Sequence, residues 1–442
     1  MTSPGAGRPR WRTAAATFVG TAVEYYDFAL YGAAAAVVFG TVFFPGTSPS
    51  TAVLASFATY AVGFAARPLG GYVFGAMGDR IGRKPTLILT LLLMGVATTC
   101  IGLLPSYQQI GIWAPALLVA LRLIQGFGAG AEYAGAITLS TETAGRRTGG
   151  LFGSLPGAGT FLGSLMALMA LQAVAQLDEA TLFDWGWRVP FLLALPLLLV
   201  SLWIRTRVDE SPEFEAAKAR RRGETAPRPF RTLLRDFKVP SLVGLGLNLT
   251  LTGYSYVIQV FSVSYLINEL GMSPSLSLAI GATAYAVGVV TVPLFGVLAD
   301  RVGPARLFIA SNVLSILYVV PFWMLLDTRD PFLGSLAVVV GLPLLMGAQF
   351  ASQPLLYKML FPTKVRYSGI AFSRETTGAL LGGTAPLIAA TLVNGPGDWQ
   401  LLAGLMAALA ALALLSALAT ARVASATSPP PHTRSSTFDA VP

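Results

Sequence analysis

The sequence predicts an all-α membrane protein of about twelve transmembrane helices arranged as two six-helix halves. Three observations predict it. Apolar residues make up 54% of the 442 positions and charged residues only 12%, about half the charge of a usual soluble domain. The apolar runs are long and do not alternate with period two, so of the two structures able to span a bilayer, the helix and the closed barrel, they fit the helix. A short loop motif then returns halfway along the chain.

Runs of roughly 20 largely apolar residues predict spans at 15–43, 51–77, 86–104, 112–139, 150–175 and 187–204, and again at 240–267, 277–298, 307–326, 332–356, 368–392 and 399–421. Residues 1–204 form the N-terminal half and 239–422 the C-terminal half. Between them, 205–238 is a charged connector, and 423–442 is a tail rich in Ser, Thr and Pro that reads as disordered. Twelve spans put both termini on one side. That side receives Arg8, Arg10, Arg12, Arg80, Arg83, Lys84, Arg146, Arg147, the connector, Arg301, Arg306, Lys358, Lys364 and Arg366. The other side receives Arg188 and Arg329 with six acids, Asp178 and Asp330 among them. The Lys and Arg bias predicts a multi-pass cell-membrane protein with both termini in the cytoplasm. The bilayer is its solvent, and it is expected to act as a monomer.

Composition excludes several classes. One cysteine, Cys100, makes no internal disulfide and is too few for a metal cluster. The one histidine, His432, lies in the tail, so a proton relay within the membrane must use carboxylates. No GxxxxGK[ST] loop cradles a nucleotide, and no nucleophile–base pair marks an enzyme. No cofactor and no metal are expected. The net charge of +9 gathers in loops on one side, which argues against nucleic acid. Glu24 and Asp27 soon after the first arginines argue against a cleaved signal peptide.

After the second span comes Gly75-Ala-Met-Gly-Asp79-Arg80-Ile-Gly82-Arg83-Lys84, and after the eighth comes Gly296-Val-Leu-Ala-Asp300-Arg301-Val-Gly303. The offset, 300 − 79 = 221, is half the chain. Arg147-Thr-Gly149 leads into the fifth span as Arg366-Tyr-Ser-Gly369 leads into the eleventh. Physically, such a turn places an acid where it meets the positive end of a neighbouring helix and nearby arginines. Gly75, Asp79, Arg80, Gly82, Arg83, Asp300 and Arg301 are therefore gate candidates. Glu142, near Arg146 at the end of the fourth span, joins them as a cap or gate pair. The loop at Asp300 lacks the Gly-Arg-Lys ending and is expected to weigh less.

The GxxxDRxGRK loop resembles the signature of the major facilitator superfamily, and the likeness of span count, central connector and repeated loop covers nearly the whole chain. Further segments narrow it: Gly20-Thr-Ala-Val-Glu24-Tyr-Tyr-Asp27-Phe-Ala-Leu-Tyr31-Gly32, Arg67-Pro-Leu-Gly70-Gly71, Arg122-Leu-Ile-Gln125-Gly126-Phe-Gly128-Ala-Gly130-Ala-Glu132-Tyr133, Trp185-Gly-Trp187-Arg188-Val-Pro190-Phe191 and Glu210-Ser-Pro-Glu213-Phe214. Together these look like the metabolite:proton symporter family, carriers of osmolytes and organic acids. The resemblance implies proton-driven uptake. Ser373-Arg374-Glu375 departs from the uncharged residues of that family's pattern.

The residues point the same way on their own. Glu24, Asp27 and Tyr31 share a face of the first span. Arg122, Gln125 and Tyr133 run along the fourth, with Glu132 beside them. Asn248 and Gln259 mark the seventh, Gln349 and Gln353 the tenth. Such stripes are wasteful against lipid and natural around a watery cavity. An ionisable residue at mid-membrane costs on the order of 3 kcal/mol, so Glu24, Asp27, Arg67, Arg122, Glu132, Arg374 and Glu375 face inward. Tyr31, Arg67, Arg122, Gln125, Asn248, Gln259, Gln349, Gln353 and Arg374 are substrate-binding candidates, the arginines because guanidinium grips carboxylate with paired bonds. Glu24 or Asp27 is the expected proton carrier, with Glu132 in reserve and Glu375 third. The alternative is structural pairing that holds the helices together.

The expected function is proton-coupled symport of a small organic solute, a carboxylate metabolite or zwitterionic osmolyte, by alternating access of two halves. Two rivals stay open. One is a proton-coupled exporter of a drug or secondary metabolite; the other is a receptor or scaffold that no longer transports. Gly126, Gly128 and Gly130 are expected to let helices approach closely, and Trp185 and Trp187 to sit in an interfacial belt.

Overall fold

The computed structural model describes residues 8–81, 83–130, 132–145, 148–206, 229–362 and 365–427. Gly82 and Arg146 lie outside the described residues, as do most of the connector and the end of the tail. The same holds for the side chains of Asp79, Arg80 and Arg83 and the surroundings of Gly75.

Among the described residues the chain is helical and crosses the molecule twelve times. In order the passes are α1 (Arg8–Val37), α2 (Pro49–Ile81), α3 (Arg83–Gly102), α4 (Trp113–Thr143), α5 (Gly149–Val174) and α6 (Glu179–Thr206), then α7 (Lys238–Glu269), α8 (Pro274–Val302), α9 (Pro304–Asp327), α10 (Pro331–Leu360), α11 (366–392) and α12 (Gln400–Thr427). Nine of them carry a stretch long and apolar enough to cross a bilayer. α3 has a shorter apolar stretch, Ile88–Gly102. The two that remain, α1 and α11, hold Glu24 and Asp27, and Arg374 and Glu375. Both of these passes carry buried charge.

Packing follows the repeat. α5 lies along α8, and α2 lies along α11. With α8 the counterpart of α2 and α11 that of α5, these are the same contact made twice. They form the seam between the halves. Within each half, α1 packs on α5, α2 on α4, α7 on α12 and α9 on α12. The α2–α4 crossing is close enough to exclude side chains. A Cβ at Gly126 would run into the Gly63 carbonyl, and one at Gly130 into the Arg67 carbonyl. Small residues let backbones meet where lipid gives no hydrophobic drive, and here the crossing holds Arg67 and Arg122 near each other.

α7 is not a regular α-helix. Its turns widen to π geometry at Thr250–Tyr254, Val257–Phe261 and Tyr265–Glu269. α10 does so at Val340–Met346, around Pro343, and α11 at Gly378–Gly382. Such bulges insert an extra residue per turn and re-aim the side chains that follow.

Two expectations need correction. The sixth pass begins at Glu179, eight residues before the predicted 187, because Asp178 caps the new helix by accepting from Thr181 N at 2.9 Å. Trp187 does not sit in a belt. It is buried among Phe39, Phe43 and Phe191, while Trp185 is 52% exposed. Residues two apart on a helix point to opposite sides, so the pair could not share one surface. Within the charged connector, Pro229–Asp236 is a helix that buries Leu233 against the Tyr357 and Phe361 cluster.

Candidate functional site

α1 supplies the acidic stripe. Glu24 is fully buried and Asp27 is 2% exposed. Tyr31, a further turn on, donates its hydroxyl to Thr59 Oγ1 at 2.8 Å. Arg122 of α4 stands above the Tyr31 ring at 4.1 Å, and Tyr60 and Phe28 flank it at 5.0 and 5.3 Å. Its Nη1 donates to Gln125 Oε1, and Gln125 Nε2 donates to Thr98 Oγ1 at 2.6 Å. Arg122 Nε and Nη2 make no hydrogen bond, nor does Asp27 Oδ1. Arg122 is therefore a buried cation held by aromatic faces rather than by a carboxylate at ion-pair distance. Asp27 and Arg122 act on each other through space.

At the seam the charges do pair. Arg67 of α2 donates from Nε to Glu375 Oε2 of α11 at 2.8 Å, and reaches Glu24 Oε1 with Nη2 at 3.5 Å. Arg374 donates from Nη2 to the Tyr25 hydroxyl at 2.9 Å and lies 3.6 Å above the Tyr133 ring. Arg374 Nε has no partner. Glu132 accepts from Arg205, the last basic residue of α6. Arg205 reads in the sequence as part of the connector, because its position one residue before the end of α6 leaves no signal of which way it turns. Glu375, by contrast, is visible as charge in an apolar span, but its partner is set by the fold.

Outside α11, the C-terminal half carries buried amides along α7 and α10. Asn248 Nδ2 donates to Thr377 Oγ1 at 2.5 Å, and Gln353 Nε2 donates to Asn248 Oδ1 at 3.1 Å and to Leu247 O at 2.9 Å. This chain ties α7, α10 and α11 together. Gln349 turns instead toward α9, where its Nε2 meets Ser315 Oγ at 3.4 Å. Gln259 accepts from the Tyr285 hydroxyl at 3.2 Å.

Gln259 and Tyr285 line a narrow cavity of about 10 Å³ on the seam, with Tyr25, Phe28, Tyr60, Ser164 and Tyr256 among the other walls. In this conformation it has room for about one water. Of the predicted binding residues Gln259 is in its wall. Arg374 borders it through Tyr25, and Arg122 lies behind Tyr60 and Phe28. The tyrosines of the wall were missed in the sequence. An aromatic at a helical interval looks the same whether it faces a core or a cavity.

The end of the bundle where α1 begins is sealed across the halves. Asp300 accepts from Gly150 N at 2.7 Å and from Leu151 N at 3.1 Å, so the α8 loop caps α5. Arg366 of α11 pairs with Glu142 of α4 at 3.2 Å, and Lys358 donates to Thr141 O at 3.0 Å. Arg301 is exposed. This end, where both described termini lie, is called the terminal end below.

Two homologous helical halves, a polar cavity on their seam and a seal at one end define a multi-pass membrane transporter. The chain belongs to the Major Facilitator Superfamily, whose family profile matches residues 17–383. It is 37% identical over 410 residues to the shikimate transporter of Escherichia coli, covering 91% of this chain and 93% of that one. It is 35% identical over 424 residues to the glycine betaine/proline/ectoine/pipecolic acid transporter OusA of Dickeya dadantii, covering 93% and 83%. The fold matches the E. coli proton:xylose symporter XylE bound to 6-bromo-6-deoxy-D-glucose, with a TM-score of 0.76 at 16% identity over 94% of this chain and 96% of that one. The family is one of transporters and not of enzymes.

Proposed function

We propose that the chain is a proton-coupled symporter that moves a small organic solute, a carboxylate metabolite or a zwitterionic osmolyte, into the cell by alternating access. The observation that carries this reading is a cavity on the seam whose aromatic walls are backed by three buried guanidinium groups, Arg374 on Tyr25 and Arg67 and Arg122 on Phe28. A cavity on the seam is exposed to either side when one half rocks against the other. The solutes named for the relatives, shikimate and betaine, share a carboxylate. Arg374, which has an unused Nε and donates from Nη2 to Tyr25 of the cavity wall, is the guanidinium we expect to meet one. Glu24 and Asp27 are the proton carriers in this reading. The terminal end faces the cytoplasm, supported by its Lys and Arg excess. One chain holds both halves of the seam, which supports a working monomer.

Purified protein in proteoliposomes, with an alkaline interior, tests the reading. Labelled shikimate and glycine betaine serve as probes, and at least one should accumulate against its gradient and leak out when a protonophore is added. Accumulation that ignores the protonophore would overturn the coupling. Exclusion of both probes, with neither shifting the melting temperature of the protein, would overturn the substrate class.

A further inference from the structure

We propose that Arg67 is the moving contact of coupling: it bridges to Glu375 of the opposite half while the terminal end is shut, and returns to Glu24 of its own half when that end opens. This rests on the reading of Glu24 as a proton carrier.

The three groups are almost wholly buried, at 3% exposure for Arg67, 0% for Glu24 and 4% for Glu375. One guanidinium is thus shared by two carboxylates, and unequally. Glu375 holds the short bond at 2.8 Å, whereas Glu24 has one contact at 3.5 Å. Glu24 Oε2 has no partner at all. A guanidinium fork grips a carboxylate with two parallel bonds when nothing competes. Here something does, and the loser is the acid in the same half as Arg67. A buried carboxylate with one long contact is costly while ionised and tolerable once it carries a proton.

The neighbours of Glu24 do not replace Arg67. Glu132 of α4 is of like charge and is taken by Arg205 of α6. Arg374 of α11 is turned to Tyr25 and Tyr133. Opening the terminal end carries α11 away from α2 and removes Glu375 from reach. Arg67 would then be a buried cation with Glu24 as its remaining partner, and breaking a buried pair outright is strongly unfavourable. The way out is for Glu24 to pass its proton to water entering from the opened end and to pair with Arg67. Recharging Glu24 from the other side frees Arg67 to cross back. The proton thus enters on one side, sits on a Glu24 oxygen while the terminal end is closed, and leaves as that end opens.

The test reads the terminal end directly. Spin labels at Thr206 and Arg306, one at that end of each half, are placed in a Cys100→Ala background, and their separation is followed against pH in lipid nanodiscs. Wild type should be short at acidic pH and longer at alkaline pH. Glu24→Gln should stay short at every pH. Glu375→Gln should lose the short distance at every pH, and the double variant should follow Glu375→Gln. Glu375→Asp, which keeps the charge, should restore the pH response and guards against a mere folding defect. A Glu375→Gln protein that closes and opens with pH as wild type does would overturn the switch. A Glu24→Gln protein that keeps the pH response while Glu375→Gln loses it would instead overturn the choice of Glu24 as carrier.

Discussion

Single side chains divide the site into two kinds of polarity. The acids and arginines of α1, α2, α4 and α11 were legible in the sequence, because a charge in an apolar span has nowhere to go but inward. Their partners were not. Nothing in the spacing says that Arg67 chooses Glu375 over Glu24, or that Arg122 rests on three aromatic rings, since both depend on which helices meet. At this scale the proton assignment has a sharp consequence. The Asp27→Asn protein should lose uptake driven by a pH gradient yet retain exchange of labelled for unlabelled solute, because Asp27 is no wall of the cavity, whereas Glu24→Gln, whose terminal end stays shut, should lose both. Counterflow and gradient-driven uptake in the same proteoliposomes separate the two. If both variants still concentrate the solute, the carrier lies elsewhere. Gln259 makes the opposite case, since it does line the cavity. Gln259→Leu removes the acceptor of the Tyr285 hydroxyl and costs about 1 kcal/mol of binding. A roughly fivefold weaker affinity by titration calorimetry, with the pH response intact, is the expected result.

Helices were read from the sequence to within a few residues at most ends, because the apolar run and the bilayer impose the same length. The sixth was placed late: Asp184 in its first turns looked like loop, whereas the helix starts ahead of it with a cap on Asp178. The π turns of α7 had no signal in advance. No proline falls within them; the first packs on α12 and α11 and the second on α11. Close approach of α4 to its neighbours was legible from the Gly126, Gly128 and Gly130 spacing, but not which helix each would meet: Gly126 and Gly130 meet α2 and Gly128 meets α3. The depth of the α2–α4 crossing predicts a contrast between two glycines of the same helix. Gly126→Ala drives a Cβ into the Gly63 backbone, whereas at Gly135 the nearest atom is a Tyr367 ring carbon at 3.5 Å, an ordinary contact. Gly126→Ala should destabilise by about 1–3 kcal/mol and Gly135→Ala by far less. Thermal unfolding of the detergent-solubilised proteins measures the difference; equal melting temperatures would mean that α2 and α4 stand further apart.

Across the whole molecule the repeat is the organising fact, and it was visible as a 221-residue offset before any helix was placed. It became geometry in the paired seams, α5 with α8 and α11 with α2. The Asp300 cap on α5 crosses one of these seams, so its loss should tell on the balance of states rather than on binding. Asp300→Ala removes a helix cap worth about 1 kcal/mol. The closed population of the terminal end should fall roughly fivefold relative to the open one, read as faster labelling of a cysteine placed at Ser154, where α5 faces Gly296 of α8. Unchanged labelling would remove Asp300 from the seal.

That seal is built from an aspartate on two amides, a lysine on a carbonyl and an arginine on a glutamate. Every one of these groups is also content in water. When the end parts, hydration takes over each bond as it breaks, at a net cost of only about 1 kcal/mol apiece. A plug of leucines would instead have to wet its whole face at once. The two conformations can therefore lie nearly level in free energy. A carrier that must visit both many times a second needs that levelness more than it needs a tight lock.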